Sequence, residues 1–335
     1  MSLRVLVTGG AGYVGAVLVP RLLGAGYDVT VLDLFAFGDF LPPEAAGAPG
    51  LRKVRGDIRD AALLARLMPG HDMVIHLACI SNDPSFALDP ALSRSINYDC
   101  FEPLVVAAKR ARVRRFVYAS TSRVYGVSDA PDVTEDHPLV PLTDYNKYKG
   151  LCEPLLLRHQ APDFTTVVVR PATVCGYSPR LRLDLTVNIL TMSALTSGRI
   201  TVFGGTQQRP NIHIEDVVDL YLLLLELPDA AIGGRTFNAG YQNHTIAEIA
   251  EIVRGVVTRE VPARAAVEIV TTPSNDLRSY HISSERIRRE LGFVAKRTIE
   301  DAVRDLCRAF TDGRVPNPQD LRYCNVQALQ EVRLR

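Results

Sequence analysis

Apolar positions fall into short, nearly continuous runs at residues 5–7, 29–32, 73–78, 116–119 and 164–169, with a weaker one at 51–54. Between them, residues 17–23, 61–68, 90–110 and 143–159 carry apolar positions three to four apart, the spacing of one helix face. Continuous apolar strands alternating with helices predict a parallel sheet covered on both faces. From Arg170 the rhythm breaks: Pro, Gly and Arg punctuate 171–182. Helical patterns then fall at 187–198, 217–227, 246–256, 283–291 and 299–310, with short strands at 199–204 and 236–238. The fold class read from this pattern is α/β, a Rossmann-like doubly wound parallel sheet with a smaller mixed α/β domain. The first domain is expected over 1–170, with the chain returning to it around 211–240, and the second over 171–335. Ligands on such sheets sit beyond the carboxyl ends of the strands. Functional side chains are therefore expected just after each apolar run.

The first run opens into Thr8-Gly9-Gly10-Ala11-Gly12-Tyr13-Val14-Gly15, followed by Val17, Leu18, Leu22 and Leu23 at helical spacing. A glycine turn between a strand and a helix N-terminus lets a pyrophosphate approach the backbone N–H groups. The glycines are spaced G-x-x-G-x-x-G, and alone they are weak evidence. Asp33 closes the second strand about 20 residues on, where an acid accepts hydrogen bonds from adenosine ribose hydroxyls and repels a 2′-phosphate. Neither Leu34 nor Phe35 supplies a cation for that phosphate. The two features together predict NAD rather than NADP.

Tyr145 and Lys149 are four residues apart in a helical pattern, so they share one face a turn from each other. A nearby ammonium favours the phenolate, and such a tyrosine can act as a general base. Exposed Tyr/Lys helix faces are common, so the pair gains meaning only from its place between the fifth and sixth strands. The row Ser120-Thr121-Ser122-Arg123-Val124-Tyr125-Gly126 puts hydroxyls at the end of the fifth strand. Any one of them could share a proton with the tyrosine or simply cap a turn.

Composition narrows the field. The 335 residues carry a net charge of +1 with 22% charged residues, which points to neither nucleic acid nor a membrane surface as partner. The longest apolar run, 220–225, is too short to span a bilayer. Six scattered cysteines without a C-x-x-C predict reduced thiols, with neither a disulfide framework nor a metal. A strand beginning almost at once leaves little room for a leader peptide, so a cytoplasmic location is expected.

These residues also carry a resemblance. The chain is similar to extended short-chain dehydrogenases/reductases of the nucleotide-sugar epimerase/dehydratase family. The matching stretches are Thr8–Gly15, Asp33, Gly56-Asp57-Ile58, His76-Leu77-Ala78, Asn97, Ser120–Gly126, Tyr145-x-x-x-Lys149, Arg170-Pro171 and Arg209-Pro210-Asn211-Ile212-His213-Ile214-Glu215-Asp216. The resemblance implies that Gly9, Gly12, Tyr13, Val14 and Gly15 cradle the pyrophosphate of NAD and that Asp33 binds adenosine ribose. It puts Asp57 and Ile58 beside adenine, and Leu77, Ala78 and Asn97 along the cofactor cleft. Tyr145 would be the base, Lys149 would hold the nicotinamide ribose and depress the tyrosine pKa, and Thr121 would be the hydroxyl partner. Thr173, Asn188, Phe203, Arg209 and Arg278 would contact the nucleotide-diphosphate sugar.

The implied chemistry is oxidation of the sugar at C4 to a 4-keto intermediate. Return of hydride to the opposite face gives a 4-epimer, release of the ketone gives a dehydrogenase, and elimination gives a 4,6-dehydratase. The dehydratases carry Asp-Glu where this chain has Ser122-Arg123, which disfavours elimination. Thr173 and Ser81 replace an asparagine and a lysine of some UDP-galactose 4-epimerases, and the run 178–188 is similar to a subgroup that includes GDP-heptose C4 dehydrogenases. The expected activity is an NAD-dependent nucleotide-sugar 4-epimerase. The alternatives are a C4 dehydrogenase, then a dehydratase or a non-catalytic dinucleotide-binding protein. The resemblance further suggests a homodimer through a helix pair, for which Leu104, Val105, Leu151, Leu155 and Leu156 could supply the face.

Overall fold

The computed structural model describes residues 2–335 except 129, 131, 265, 275–278, 333 and 335. Its strands in chain order are β1 (Arg4–Thr8), β2 (Asp28–Asp33), β3 (Leu51–Arg55), β4 (Met73–His76), β5 (Arg115–Ala119) and β6 (Thr165–Pro171). They continue with β7 (Thr173–Cys175), β8 (Arg199–Phe203), β9 (Gln208–His213), β10 (Arg235–Ala239), β11 (Gln242–Thr245) and β12 (Glu268–Thr272). Seven of these form a parallel sheet in the order β10-β6-β5-β4-β1-β2-β3. The direction of winding reverses between β1 and β4, so their carboxyl ends open into the crevice where doubly wound sheets hold ligands.

Alternation along the strands sends side chains to opposite faces. Val5 and Val7 pack with Leu18, Leu22, Val217 and Leu224, while Leu6 packs with Leu104, Phe116 and Leu156. Both faces are buried, which is why these strands read as unbroken apolar runs. A second group of elements joins the crevice from the far side. It contains the sheet β11-β9-β7, the parallel pair β12-β8, and the helices Thr186–Ser197, Ile246–Glu260 and Ile299–Thr311 around their own apolar cluster. Capping boxes at Thr245/Glu248 and Thr298/Asp301 fix where the last two helices begin.

Two sequence expectations change here. The helical pattern over 90–110 is not one α-helix: Pro90–Arg94 and Phe101–Arg110 flank a π-turn at Ser95–Asp99. The wider turn rotates Asn97 towards the loop after β4, where its side chain bonds both the N–H (2.8 Å) and the carbonyl (2.9 Å) of Ile80. Of the apolar residues offered for pairing between subunits, Leu104, Val105 and Leu156 are fully buried in the chain's own core, and only Leu151 and Leu155 reach the surface. Among the described residues no helix is long and apolar enough to cross a membrane, and all six cysteines are free thiols.

His76, at the end of β4, lies among the rings of Phe101, Phe116 and Tyr118, with Nδ1 2.7 Å from the Thr8 hydroxyl. Burial, with the charge of Lys149 added, pulls its pKa from 6.5 down to about 3. The folded chain therefore keeps it neutral while the unfolded chain takes up a proton below 6.5. Stability is expected to fall as pH drops from 7 towards 4, by up to about 1.4 kcal/mol per pH unit from this group. Urea unfolding at pH 7 and 5 should show the loss, and His76→Asn should flatten it. An unchanged pH slope in the variant would remove His76 as the cause.

Candidate active site

A cavity of about 620 Å³ lies over the carboxyl ends of β1, β4, β5 and β6, walled on its far side by residues 180–186 and Arg209. The glycine loop forms one end. Gly9 has φ of +75°, and a Cβ there would sit 2.6 Å from the backbone N of Ala78, so only glycine lets the loop lie this close to β4. Gly12, Tyr13, Val14 and Gly15 line the same wall, as do Asp57, Ile58, Leu77 and Ala78. The Asp33 carboxylate accepts from the backbone N–H of Ala11 (3.0 Å) and Phe35 (2.8 Å), which fixes its plane at the cavity edge. Burial raises its pKa, and the two backbone bonds oppose that rise.

The other end holds the hydroxyls and charges. Thr121, Ser122, Arg123, Tyr145, Lys149 and Thr173 all line it. Thr121 turns the chain after β5, its Oγ1 accepting from the Arg123 N–H at 3.2 Å. The Thr173 hydroxyl is buried and has no hydrogen-bond partner among the described residues. Tyr145 is pushed well above the usual phenol pKa by burial, with Cys79 and Asp83 adding to the rise and Arg123 and Arg182 opposing it. Lys149 lines the same end of the cavity. Its ammonium donates to the Ala119 carbonyl and lies 4.7 Å from the centre of the Tyr118 ring. Arg123 and Arg182 thus join Lys149 as cations at this end of the cavity.

In the sequence, Arg123 stands out only as a departure from the dehydratases, and Arg182 and Asp184 only within the run 178–188, with no place beside the tyrosine. Arg182 pairs with Asp184 at 2.9 Å, and Asp184 also accepts from the Asn82 amide at 2.8 Å. Arg123 approaches Asp83 at 3.7 Å, and Asp83 accepts from the Thr143 hydroxyl at 2.6 Å. The alternation Arg180-Leu181-Arg182-Leu183-Asp184 was the available signal: charges on one side, Leu181 and Leu183 in the core. Without knowing that this loop faces the sheet, it reads as surface.

Some expected contacts lie elsewhere. Asn97 does not line the cavity; it stands behind the wall and holds Ile80, which does. Asn188 is fully buried and acts as a tie, its amide nitrogen donating to the Tyr13 hydroxyl (3.2 Å) and the Arg182 carbonyl (3.0 Å). Phe203 ends β8 with 61% of its surface exposed and away from the cavity, because β8 pairs only with β12. Arg209 lines the cavity, its guanidinium reaching the Gln208 carbonyl at 3.0 Å. Arg278 lies outside the described residues.

Beneath the hydroxyl end runs a buried polar chain. Ser120 donates to Glu153 (2.5 Å), Glu153 pairs with Arg170 (2.5 Å), Arg170 donates to the Tyr125 hydroxyl (2.6 Å), and that hydroxyl donates to Asn238 (2.7 Å). It links β5, the Asp144–Leu157 helix, β6 and β10 just under Thr121 and Tyr145.

The fold and cavity define a dinucleotide-type α/β protein. Residues 5–240 match the model of the NAD dependent epimerase/dehydratase family. A UDP-glucose 4-epimerase of Azospirillum brasilense is 30% identical over 323 residues, covering 90% of each chain. A dTDP-glucose 4,6-dehydratase of Streptomyces griseus is 31% identical over 312 residues, covering 90% of this chain and 92% of that one. Among solved structures, a dTDP-glucose 4,6-dehydratase of Streptomyces venezuelae with NAD bound superposes with a TM-score of 0.81 at 26% identity, covering 93% and 98%. The chain belongs to the NAD dependent epimerase/dehydratase family, and NAD is its cofactor. The glycine loop that admits no Cβ and the backbone-fixed Asp33 carboxylate are suited to hold it.

Proposed function

We propose that the protein is an NAD-dependent nucleotide-sugar 4-epimerase. The observation that carries this reading is that Tyr145, Thr121 and the Thr173 hydroxyl, which has no partner among the described residues, line the same cavity as the glycine loop and Asp33. When bound, NAD would supply the acceptor for the C4 hydride and the donor that returns it to the opposite face of the ketone. Tyr145 takes the proton of the C4 hydroxyl and gives it back when the ketone is reduced, Thr121 shares a hydrogen bond with that oxygen, and Lys149 would hold the nicotinamide ribose. Gly12, Tyr13, Val14 and Gly15 cradle the pyrophosphate, Asp33 takes the ribose hydroxyls, and Asp57, Ile58, Leu77 and Ala78 enclose the adenine side. Thr173 supplies its hydroxyl to the sugar, and Arg209 offers a cation to the nucleotide diphosphate. Elimination would need an acid and a base beside Thr121, where Ser122 and Arg123 stand. This favours epimerisation over a 4,6-dehydratase, with release of the ketone as the second reading.

Incubation with UDP-, GDP-, dTDP- and CDP-sugars, followed by chromatography and NADH absorbance, tests this. A new epimer supports the proposal, stoichiometric NADH with a released ketone supports the dehydrogenase, and no turnover on any sugar would favour a binding role.

Tyr145 must lose its proton before it can accept one, and its pKa is raised, so turnover is expected to climb with pH through the neutral range. Arg123 opposes that rise. Arg123→Gln should therefore move the acid limb of the kcat profile to higher pH. A limb that stays in place would exclude Arg123 from tuning the phenol. A homodimer through the expected helix pair would draw on Leu151 and Leu155 of the Asp144–Leu157 helix, and light scattering of the purified protein decides whether a dimer forms.

A further inference from the structure

We infer that Arg180, held by Asn325 of the C-terminal segment, is the cationic ligand of the NAD diphosphate bridge. The inference rests on NAD occupying the cavity and is independent of which sugar is turned over.

Residues 176–180 lie directly against the glycine loop. The Ser178 hydroxyl donates to the Tyr13 carbonyl at 2.7 Å, and the Tyr13 hydroxyl donates back to the Gly176 carbonyl at 2.7 Å. Arg180 follows two residues later, lines the cavity, and is only 2% exposed, with its guanidinium 4.2 Å from the centre of the Phe37 ring. Its hydrogen bonds go to neutral oxygens: the Leu181 carbonyl at 2.8 Å and the Asn325 amide oxygen at 2.6 Å. Its Nε is buried without a partner among the described residues. The acids nearest in charge are committed elsewhere, Asp33 to two backbone N–H groups and Asp184 to Arg182 and Asn82.

A buried guanidinium without a carboxylate is costly unless an anion completes its environment. Burial and the neighbouring Arg182 pull its pKa down to about 10, which still leaves it a cation at neutral pH. The anion must be reachable from the cavity, lie beside the glycine loop, and sit near Asp33. A dinucleotide whose adenosine ribose meets Asp33 and whose phosphates lie on the glycine loop puts its diphosphate there. The planar fork of arginine suits phosphate oxygens.

Asn325 gives the site a clasp. Its amide nitrogen donates to the Ser81 hydroxyl at 2.9 Å while its oxygen holds Arg180, so one side chain joins the loop after β4 to residues 176–182. Val326 and Leu329 of the same Asn325–Val332 helix line the cavity behind it. Loss of the clasp should therefore speed NAD release without touching the nucleotide itself.

Calorimetric titration of the nucleotide-freed full chain with adenosine, ADP, ADP-ribose, NAD, NADP and UDP tests the assignment. Arg180→Met should weaken ADP, ADP-ribose and NAD by about 10- to 100-fold, the effect of one charge-assisted hydrogen bond, and leave adenosine within about 3-fold. Arg180→Lys keeps the charge and should retain most of the ADP affinity, and Asn325→Leu should raise the NAD dissociation rate. These two variants carry the test if Arg180→Met does not fold. An equal loss for adenosine and ADP would make Arg180 a packing residue and overturn the inference. So would unchanged NAD affinity, a loss confined to NADP, or a loss confined to UDP. Wild-type protein that binds neither NAD nor ADP-ribose would overturn this inference together with the cofactor reading, whereas normal NAD binding without sugar turnover would overturn only the proposed activity.

Discussion

Replacing Tyr145 by phenylalanine is expected to lower kcat by about 10²- to 10⁴-fold while the protein still retains NAD. The ring is kept, so the wall between Thr121 and Lys149 stays filled and only the proton acceptor is lost. The effect should be large because the variant loses only the assigned proton acceptor, while Tyr221 and Tyr280, which also line the cavity, keep their phenols. Turnover of the reactive sugar and the NAD content of the purified variant are the two measurements. Full turnover by the variant would end the proposed chemistry. Loss of NAD together with turnover would mean instead that Tyr145 supports the fold of the cofactor site.

Glu153→Ala should cost about 3–5 kcal/mol of unfolding free energy, the usual result of removing one partner from a buried ion pair. Glu153 and Arg170 have side-chain exposures of 3% and 7% and are joined at 2.5 Å, so the orphaned guanidinium could not reach water. The Tyr125 hydroxyl and the Glu135 carbonyl would remain as neutral partners and compensate only in part. Replacing both residues by methionine should recover much of the loss, because apolar pairs of similar volume often match a buried salt bridge. Urea unfolding of the two variants checks this. A loss below about 1 kcal/mol for Glu153→Ala would place the pair with solvated ones. Because Ser120 donates to Glu153, the single variant should also loosen the turn that carries Thr121.

The nucleotide end of the site was legible because its requirements are local. Gly9 must adopt a positive φ beside Ala78, and Asp33 must end a strand, so both leave marks within one strand–turn–helix unit. Tyr145 and Lys149 were legible for a similar reason, since four residues on a helix fix a shared face. The same logic misjudged neighbours. Asn97 and Asn188 carry the right chemistry at the right positions, yet Asn97 spends its amide on the Ile80 backbone and Asn188 on the Tyr13 hydroxyl and the Arg182 carbonyl. Phe203 is set aside by the pairing of β8 with β12, two strands about 65 residues apart whose contact no local pattern announces.

The electrostatics of the site lay further still from the sequence. That Lys149 sits four residues from Tyr145 says nothing about the Ala119 carbonyl that takes its ammonium. Arg123 and the neighbouring Arg180 and Arg182 converge on the cavity from two distant segments, and Asn325 reaches Arg180 across 145 residues and Ser81 across 244.

By itself, then, the sequence determined the parallel sheet, the glycine loop, the acid behind it and the Tyr/Lys face, because periodicity and backbone geometry are short-range properties of the chain. Tertiary structure alone decided that the Thr173 hydroxyl is buried without a partner among the described residues, that Arg123 and Arg182 come near Tyr145, and that Arg180 is buried against the cavity. Those depend on desolvation and charge, and both are set by whichever distant segments fold against the cavity.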